Sequence, residues 1–377
     1  MDSPISDAVY QDLVLPDVSR TFALTIPQLP AALRVSVTNA YLLCRIADTI
    51  EDEPALSPAE THSYMQRFMA ALGGRGDVRT LSSELEARLS ERTLRTERDL
   101  VSNMQRVMNV TSALSETQRA SIHRCVELMC YGMPRFQAIA SLRGLPRLTD
   151  LDDYCYYVAG VVGDMLTDLF CDYSPAIATN RTGMQSLAVS FAQGLQMTNI
   201  LKDVWEDRSH GACWLPQDVF TRHGVDLARI SAQPHDPKFA AGMRELVGVA
   251  HAHLRNALEY TLLIPAEEAG IRRFCLWAIG LAVLTLQKIN AKPEFSAGVQ
   301  VKVTRRAVAM TRVATELALR SNWLLRRLFA RAALGLPLAV LGEIRRPYPA
   351  HVVDPQSGTD GAPVQRPMRR SFGSSGT

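Results

Sequence analysis

Two short stretches of this chain have residue types and spacing suited to handling a charged leaving group. The first is Asp48-Thr49-Ile50-Glu51-Asp52 and the second is Asp203-Val204-Trp205-Glu206-Asp207. If each is helical, at ~100° per residue Asp52 lies about 40° around from Asp48 and one turn along. Tyr41, Arg45, Asp48 and Asp52 then share a sector of roughly 60° that carries a ring, a guanidinium and two carboxylates. In the second stretch Gln196, Asn199, Asp203 and Asp207 form one face, leaving Ile200, Leu201 and Val204 on others. Carboxylates one turn apart repel unless a cation lies between them. Mg²⁺, or Mn²⁺ in its place, takes a few carboxylates, keeps waters and completes its shell with phosphate oxygens. Two such stripes facing each other can hold a diphosphate through bridging ions, and Arg45 and Lys202 can bind the same phosphates. A single acidic pair is usually a solvated face, and the second copy with its amide neighbours argues against that here. No P-loop or GxGxxG phosphate cradle competes.

Long helices must present these stripes. Apolar residues recur at three- and four-residue spacing, as in Leu42, Ile46, Thr49 and Ile50, and almost no period-two alternation is sustained, so the expected fold class is all-α. Pro27 and Pro30 should precede the first aspartate helix, and Pro54 and Pro58 should follow it. Pro134 and Pro146 should bracket a connection, Gly211 to Pro216 should end the second aspartate helix, Pro265 should lie in a bend and Pro293 should follow a helix. Residues 1–346 read as one helical domain around a central cavity, and residues 347–377, rich in Pro, Gly, Ser and Arg, as a disordered tail. Residues 322–341 mix Trp323, Leu324, Leu325, Leu328 and Phe329 with arginines. They fit either an interfacial amphipathic helix or a terminal helix packed on the protein.

Composition narrows the class. With 41 basic and 38 acidic residues, the net charge of +3 gives no reason to expect a nucleic-acid partner. Seven cysteines, without a CxxC pair, read as reduced thiols. Met1 to Tyr10 lacks the apolar core of a signal peptide. The longest clean apolar run, Cys275 to Leu286, is too short for the roughly 20 residues a membrane-spanning helix needs. The expected location is therefore cytoplasmic, with peripheral contact at the inner face of a membrane.

Four segments resemble the squalene/phytoene synthase family of head-to-head isoprenyl diphosphate synthases, most closely its squalene-forming members of bacterial type. They are Ser19-Arg20-Thr21-Phe22, the run from Tyr41 to Asp52, the run from Tyr154 to Gly163 and the run from Gln196 to Asp207. The resemblance covers roughly Ser19 to Ala314. It implies an isoprenoid synthase fold, two farnesyl diphosphates as substrates, and Mg²⁺ and NADPH as cofactors. It assigns Asp48, Asp52, Asp203 and Asp207 to metal. Tyr154, Tyr41 and Arg45 become catalytic. Ser19, Arg20, Phe22, Arg45, Val158, Gly163, Gln196, Asn199 and Lys202 become substrate-binding. Two further segments, Phe274-Cys275 and Val301-Lys302-Val303-Thr304-Arg305-Arg306, resemble the second pocket and the basic NADPH segment of squalene-forming members. Cofactor contacts then fall to Asn199, Tyr260, Phe274, Lys302 and Arg305. A 2′-phosphate calls for a nearby Arg or Lys, although three basic residues in five are more often a solvated face.

For the glycines Gly160 and Gly163 the readings are room for a prenyl tail, local unwinding or close helix packing. Asp164 and Asp168 are expected to be solvated or paired. Chain length should depend on Phe22, Cys44, Val158 and Leu195. The sequence departs from the family at Lys202, where Arg is usual, and at Ala278, where a proline is usual. It also lacks the C-terminal transmembrane segment of eukaryotic members. The competing readings are a synthase that loses a proton instead of accepting hydride, a synthase that stops at the cyclopropane, a terpene cyclase and a non-enzymatic scaffold.

Overall fold

The computed structural model describes residues 5–19, 21–231 and 236–347, and these form helices with no β-strand. The expectation for 347–377 lies, apart from Pro347, outside the described residues, as does that for Arg20.

Local signals start and stop the helices where the physics of caps requires. Ser6 accepts from the Val9 amide and opens α1 (Asp7–Val18). Pro30 immediately precedes α2 (Ala31–Asp52), and Pro54 follows it. The inward stripe of α2 comprises Leu42, Ile46, Thr49 and Ile50, all buried. A short helix, α3 (Arg95–Ser102), packs across α2. Ser115 and Gln118 form a capping box at the head of α4 (Glu116–Gln137). Pro134 lies inside α4, not beyond it as expected. It removes only one backbone donor in the last turn, and the helix ends three residues later. Next comes α5 (Leu148–Cys155), a five-residue π-helical turn (Tyr156–Gly160) and α6 (Val161–Tyr173). The central helix α7 (Arg181–Ser209) gives way to Gly211 at φ +90°, a value that glycine tolerates.

Asp236 caps α8 (Pro237–Leu263), and a bend through Pro265 leads into α9 (Ala269–Ala291). Thr304 caps α10 (Arg305–Ala318), and Ser321 caps α11 (Asn322–Ala332). The core lies where α7 packs along α8, α8 along α9, and α6 against α4 and α7. A Cβ on Gly163 would stand 2.2 Å from the Ala188 carbonyl oxygen, so this glycine permits the close approach of α6 to α7.

The α9 helix is long and apolar enough to cross a membrane by length and composition, which the twelve-residue run in the sequence did not suggest. About two thirds of its apolar window is buried, consistent with a core helix. All seven cysteines are free thiols, and all but Cys130 are buried. Asp164 and Asp168 are paired: Arg346 reaches Asp164 at 2.9 and 3.2 Å, while Arg181 and Arg124 reach Asp168 at 2.7 and 3.3 Å.

Candidate active site

The two aspartate helices open onto one cavity of ~980 Å³. Ten of the residues singled out in the sequence line it. Arg45, Asp48 and Asp52 come from α2, Tyr154 from α5 and Val158 from the π turn. The remaining five, Gln196, Asn199, Lys202, Asp203 and Asp207, come from α7. A π turn inside a helical run often marks a functional position, and here it lies between Tyr154 and the α6–α7 contact.

The electrostatics of the cavity are those of crowded, poorly solvated carboxylates. Burial, reinforced by the neighbouring Asp52 and opposed by Arg45, pushes Asp48 up to about 7. Burial, with Asp203, Glu206 and Asp52 adding to it, pushes Asp207 up to about 7. That Asp52 influences Asp207 means that the two motifs, far apart in sequence, feel each other's charge across the cavity. Asp52 and Asp203 are also raised by burial, and Glu51 strongly so. The compensating cations are few. Arg45 gives one nitrogen to Glu97 at 2.5 Å and another to Asp48 at 3.5 Å. Lys202 lies 3.1 Å from Asp203.

Among the described residues no three His, Cys, Asp or Glu side chains converge as a ready-made metal cage. Two opposed carboxylate pairs with unneutralised charge nevertheless suit Mg²⁺, which binds through one or two carboxylates and completes its shell with waters and substrate phosphates.

The wall between the carboxylates is aromatic. Trp214 stacks on Tyr154 with ring centroids 4.2 Å apart and planes 11° from parallel, and Phe136 packs on Tyr154 at 5.4 Å. Burial holds the Tyr154 phenol well above its ordinary pKa, so it stays protonated. Sequence reasoning missed Trp214, and it also missed Glu97, Arg92, Thr93 and His210, which share the cavity. Glu53 accepts from the Ser90 amide at 2.9 Å and from the Thr93 hydroxyl at 2.6 Å, pinning that loop to the rim. Only the DxxED pattern preceding Glu53 hinted at the rim, and nothing local pointed to Trp214 or Glu97.

Other expected site residues lie elsewhere. Tyr41 donates to the Val18 carbonyl at 3.0 Å and packs on Phe22 at 5.1 Å. Ser19 accepts from the Phe22 amide at 3.0 Å, so these three form a layer beside the cavity. Thr21 of that segment does line it. Gly163 is not at the cavity, because its missing side chain is filled by α7. Tyr260 and Phe274 are core residues. Tyr260 shares a 2.9 Å hydrogen bond with Thr167 and packs on Phe191, and Phe274 packs edge-on to Phe170. Lys302 and Arg305 are exposed, with no carboxylate in ion-pair reach among the described residues. They follow a turn, Gly298–Val301, that abuts the second aspartate helix. A Cβ on Gly298 would lie 3.0 Å from the Lys202 carbonyl oxygen, and the Trp205 indole donates to Phe295 O at 2.5 Å. Tyr260 and Phe274, by contrast, are buried in the core.

Comparison with known proteins gives a consistent picture. The model of the squalene/phytoene synthase family matches residues 15–307. A squalene synthase of Cochliobolus lunatus is 29% identical over 297 residues, covering 78% of this chain and 68% of that protein. Those of Eremothecium gossypii and Candida albicans are each 28% identical, covering 72% and 74% of this chain. The chain spans only 60% and 61% of those two proteins. Among solved structures, TcSQS in complex with a ligand superposes with a TM-score of 0.70 at 23% identity, covering 87% of this chain and 97% of that one. A dehydrosqualene synthase superposes at 0.58 with 22% identity, covering 84% of this chain and 97% of its own. At these identities the superpositions speak for the all-α isoprenoid synthase fold.

Proposed function

This chain belongs to the squalene/phytoene synthase family, and we propose that it condenses two farnesyl diphosphates head-to-head to presqualene diphosphate and reduces that to squalene with NADPH. The observation that carries this reading is the meeting of Asp48/Asp52 and Asp203/Asp207 at one cavity with a stacked Tyr154–Trp214 wall.

In this reading one farnesyl diphosphate lies with its diphosphate between the aspartate pairs. Bound Mg²⁺ supplies neutralising charge for the departing pyrophosphate. Arg45 and Lys202 bind the same oxygens, Arg45 with a planar fork and Lys202 as a point charge. As the C–O bond breaks, the allylic cation lies against the Tyr154 and Trp214 faces, which stabilise positive charge without capturing it. The second substrate's double bond attacks the cation, and the released pyrophosphate takes up the proton whose loss closes the cyclopropane. Val158 and Met133 shield the reacting carbons from water. Lys302 and Arg305 would hold the 2′-phosphate of NADPH, which when bound would supply hydride to the cation left once presqualene diphosphate loses its own pyrophosphate and rearranges. Asn199, on the cavity face of α7, would orient the reacting ends.

One observation favours a second reading in which the final step is proton loss, as in dehydrosqualene-forming members: Tyr260 and Phe274, expected at the cofactor, are sealed in the core. Pyrophosphate release from farnesyl diphosphate and Mg²⁺ tests the condensation. The reading requires release in the native chain and its loss in Asp48→Asn. Equal release from both would overturn it.

A further inference from the structure

The outer surface of α10 and α11 is unlike the rest of the molecule. At ~100° per residue, Met310, Val313 and Leu317 fall in a stripe about 60° wide along α10, Arg306 lies within the same sector, and Arg320 follows in the turn just beyond the helix. The stripe faces solvent, with Leu317 81% exposed. On α11 Trp323 is 62% exposed, and Arg327 stacks over its ring at 4.8 Å. Leu325 is buried and Phe329 packs on the core, so α11 is docked on one side and on the other exposes Trp323, Leu324 and Leu328 among arginines. The helix ends at Ala332, shorter than the 322–341 stretch read from the sequence. Between α9, α10 and α11 a ~140 Å³ apolar pocket is lined by Ile279, Val283, Ala314, Leu325 and Leu328.

Charge identifies the partner. Residues 305–332 carry seven arginines and one glutamate in a chain whose net charge is only +3. Glu316 pairs with Arg273 on α9, and Arg326 pairs with Glu259 on α8. Arg306, Arg320, Arg327 and Arg331 have no carboxylate in ion-pair reach among the described residues. Two copies of this face apposed would place like charges together, which is unfavourable. A solvated basic face would not expose a Leu, a Val, a Met and a Trp in register. We infer that the α10–α11 face docks on an anionic lipid surface, with Met310, Val313, Leu317 and Trp323 entering the acyl boundary and the arginines among the headgroups. This stands apart from the proposed reaction, because its readout is lipid binding.

The test is co-sedimentation of the full chain with vesicles of equimolar phosphatidylglycerol and phosphatidylcholine, against vesicles of phosphatidylcholine alone. The inference expects binding to the anionic vesicles, at least about tenfold weaker binding to the neutral ones, and release at high salt. Leu317→Gln with Val313→Gln should weaken binding about tenfold or more. Arg320→Gln and Arg327→Gln should each cost about fivefold. Unchanged circular dichroism in these surface variants separates docking from folding. Quenching of Trp323 by brominated lipid, measured as the signal lost in Trp323→Phe, reads insertion directly. Equal binding to both vesicles, full binding by the stripe variants, loss only on removing residues 348–377, or a dimer that Leu317→Gln dissolves would each overturn the inference.

Discussion

The two aspartate helices carry the same pentapeptide pattern and are held in place by different chemistry. In α2, Asn39 is fixed by groups that do not titrate: it donates to Gln11 and to the Val107 carbonyl, each at 2.8 Å, and accepts from Thr111 at 2.9 Å. In α7 the corresponding anchor is Ser190. It accepts from Asn256 at 2.9 Å and shares a 2.8 Å hydrogen bond with His253 Nδ1. The countercharges differ as well. Arg45 is stretched between Glu97 and Asp48, whereas among the described residues Lys202 forms an ion pair with the adjacent Asp203 alone. Matching motifs therefore present similar carboxylates on supports with different sensitivity to pH and to substitution.

The largest expected effect tests whether the pairs act together. Asp48→Asn and Asp207→Asn should each lower turnover about 10³-fold or more, the scale of removing a main electrostatic contact at developing charge. The double variant should do little further harm. Additive losses in steady-state turnover would mean that the two helices serve separate tasks.

The next separates the anchors. Burial depresses His253 to about 4, below the ordinary 6.5, so the folded chain binds fewer protons than the unfolded chain between those values. The neutral ring's contribution is complete above about pH 6.5 and drains away as pH falls toward 4, by up to about 3 kcal/mol. His253→Gln should flatten that segment of the stability curve measured by denaturant unfolding. An unchanged slope would remove His253 from the comparison.

Smaller again is the contrast between cations. Arg45→Lys loses the fork that spans Glu97 and Asp48 and should cost about tenfold to a hundredfold in kcat/KM. Lys202→Arg should stay within about fivefold, because a single charge there is already sufficient. Trp214→Phe, which keeps a ring on Tyr154, should cost less than tenfold, and Trp214→Ala more. Steady-state kinetics of the four variants ranks them, and a reversed order for Arg45 and Lys202 would contradict the assigned roles.

What was legible in the sequence follows from distance along the chain. The stripes on α2 and α7 are set by helical periodicity alone, so Asp48, Asp52, Asp203, Asp207, Asn199 and Tyr154 could be placed from spacing and segment resemblance, and all reach the cavity. Trp214, Glu97 and His210 come from other segments and meet the cavity only through tertiary packing, which no local pattern encodes. The opposite error occurred at Tyr260 and Phe274. Their segments resemble cofactor-pocket residues, yet the geometry gives Tyr260's hydroxyl to Thr167 and seals both rings in the core. The apolar residues of α10 gave no expectation in the sequence. Only the packing of α10 on α9 through its opposite side shows Met310, Val313 and Leu317 turned outward.

The most direct test is product analysis of the purified chain with farnesyl diphosphate and Mg²⁺, with and without NADPH. The account predicts a C30 hydrocarbon, squalene, when NADPH is present, and presqualene diphosphate or an unreduced C30 product when it is absent. Absence of any C30 product under both conditions would contradict head-to-head condensation at the cavity of Asp48, Asp52, Asp203 and Asp207.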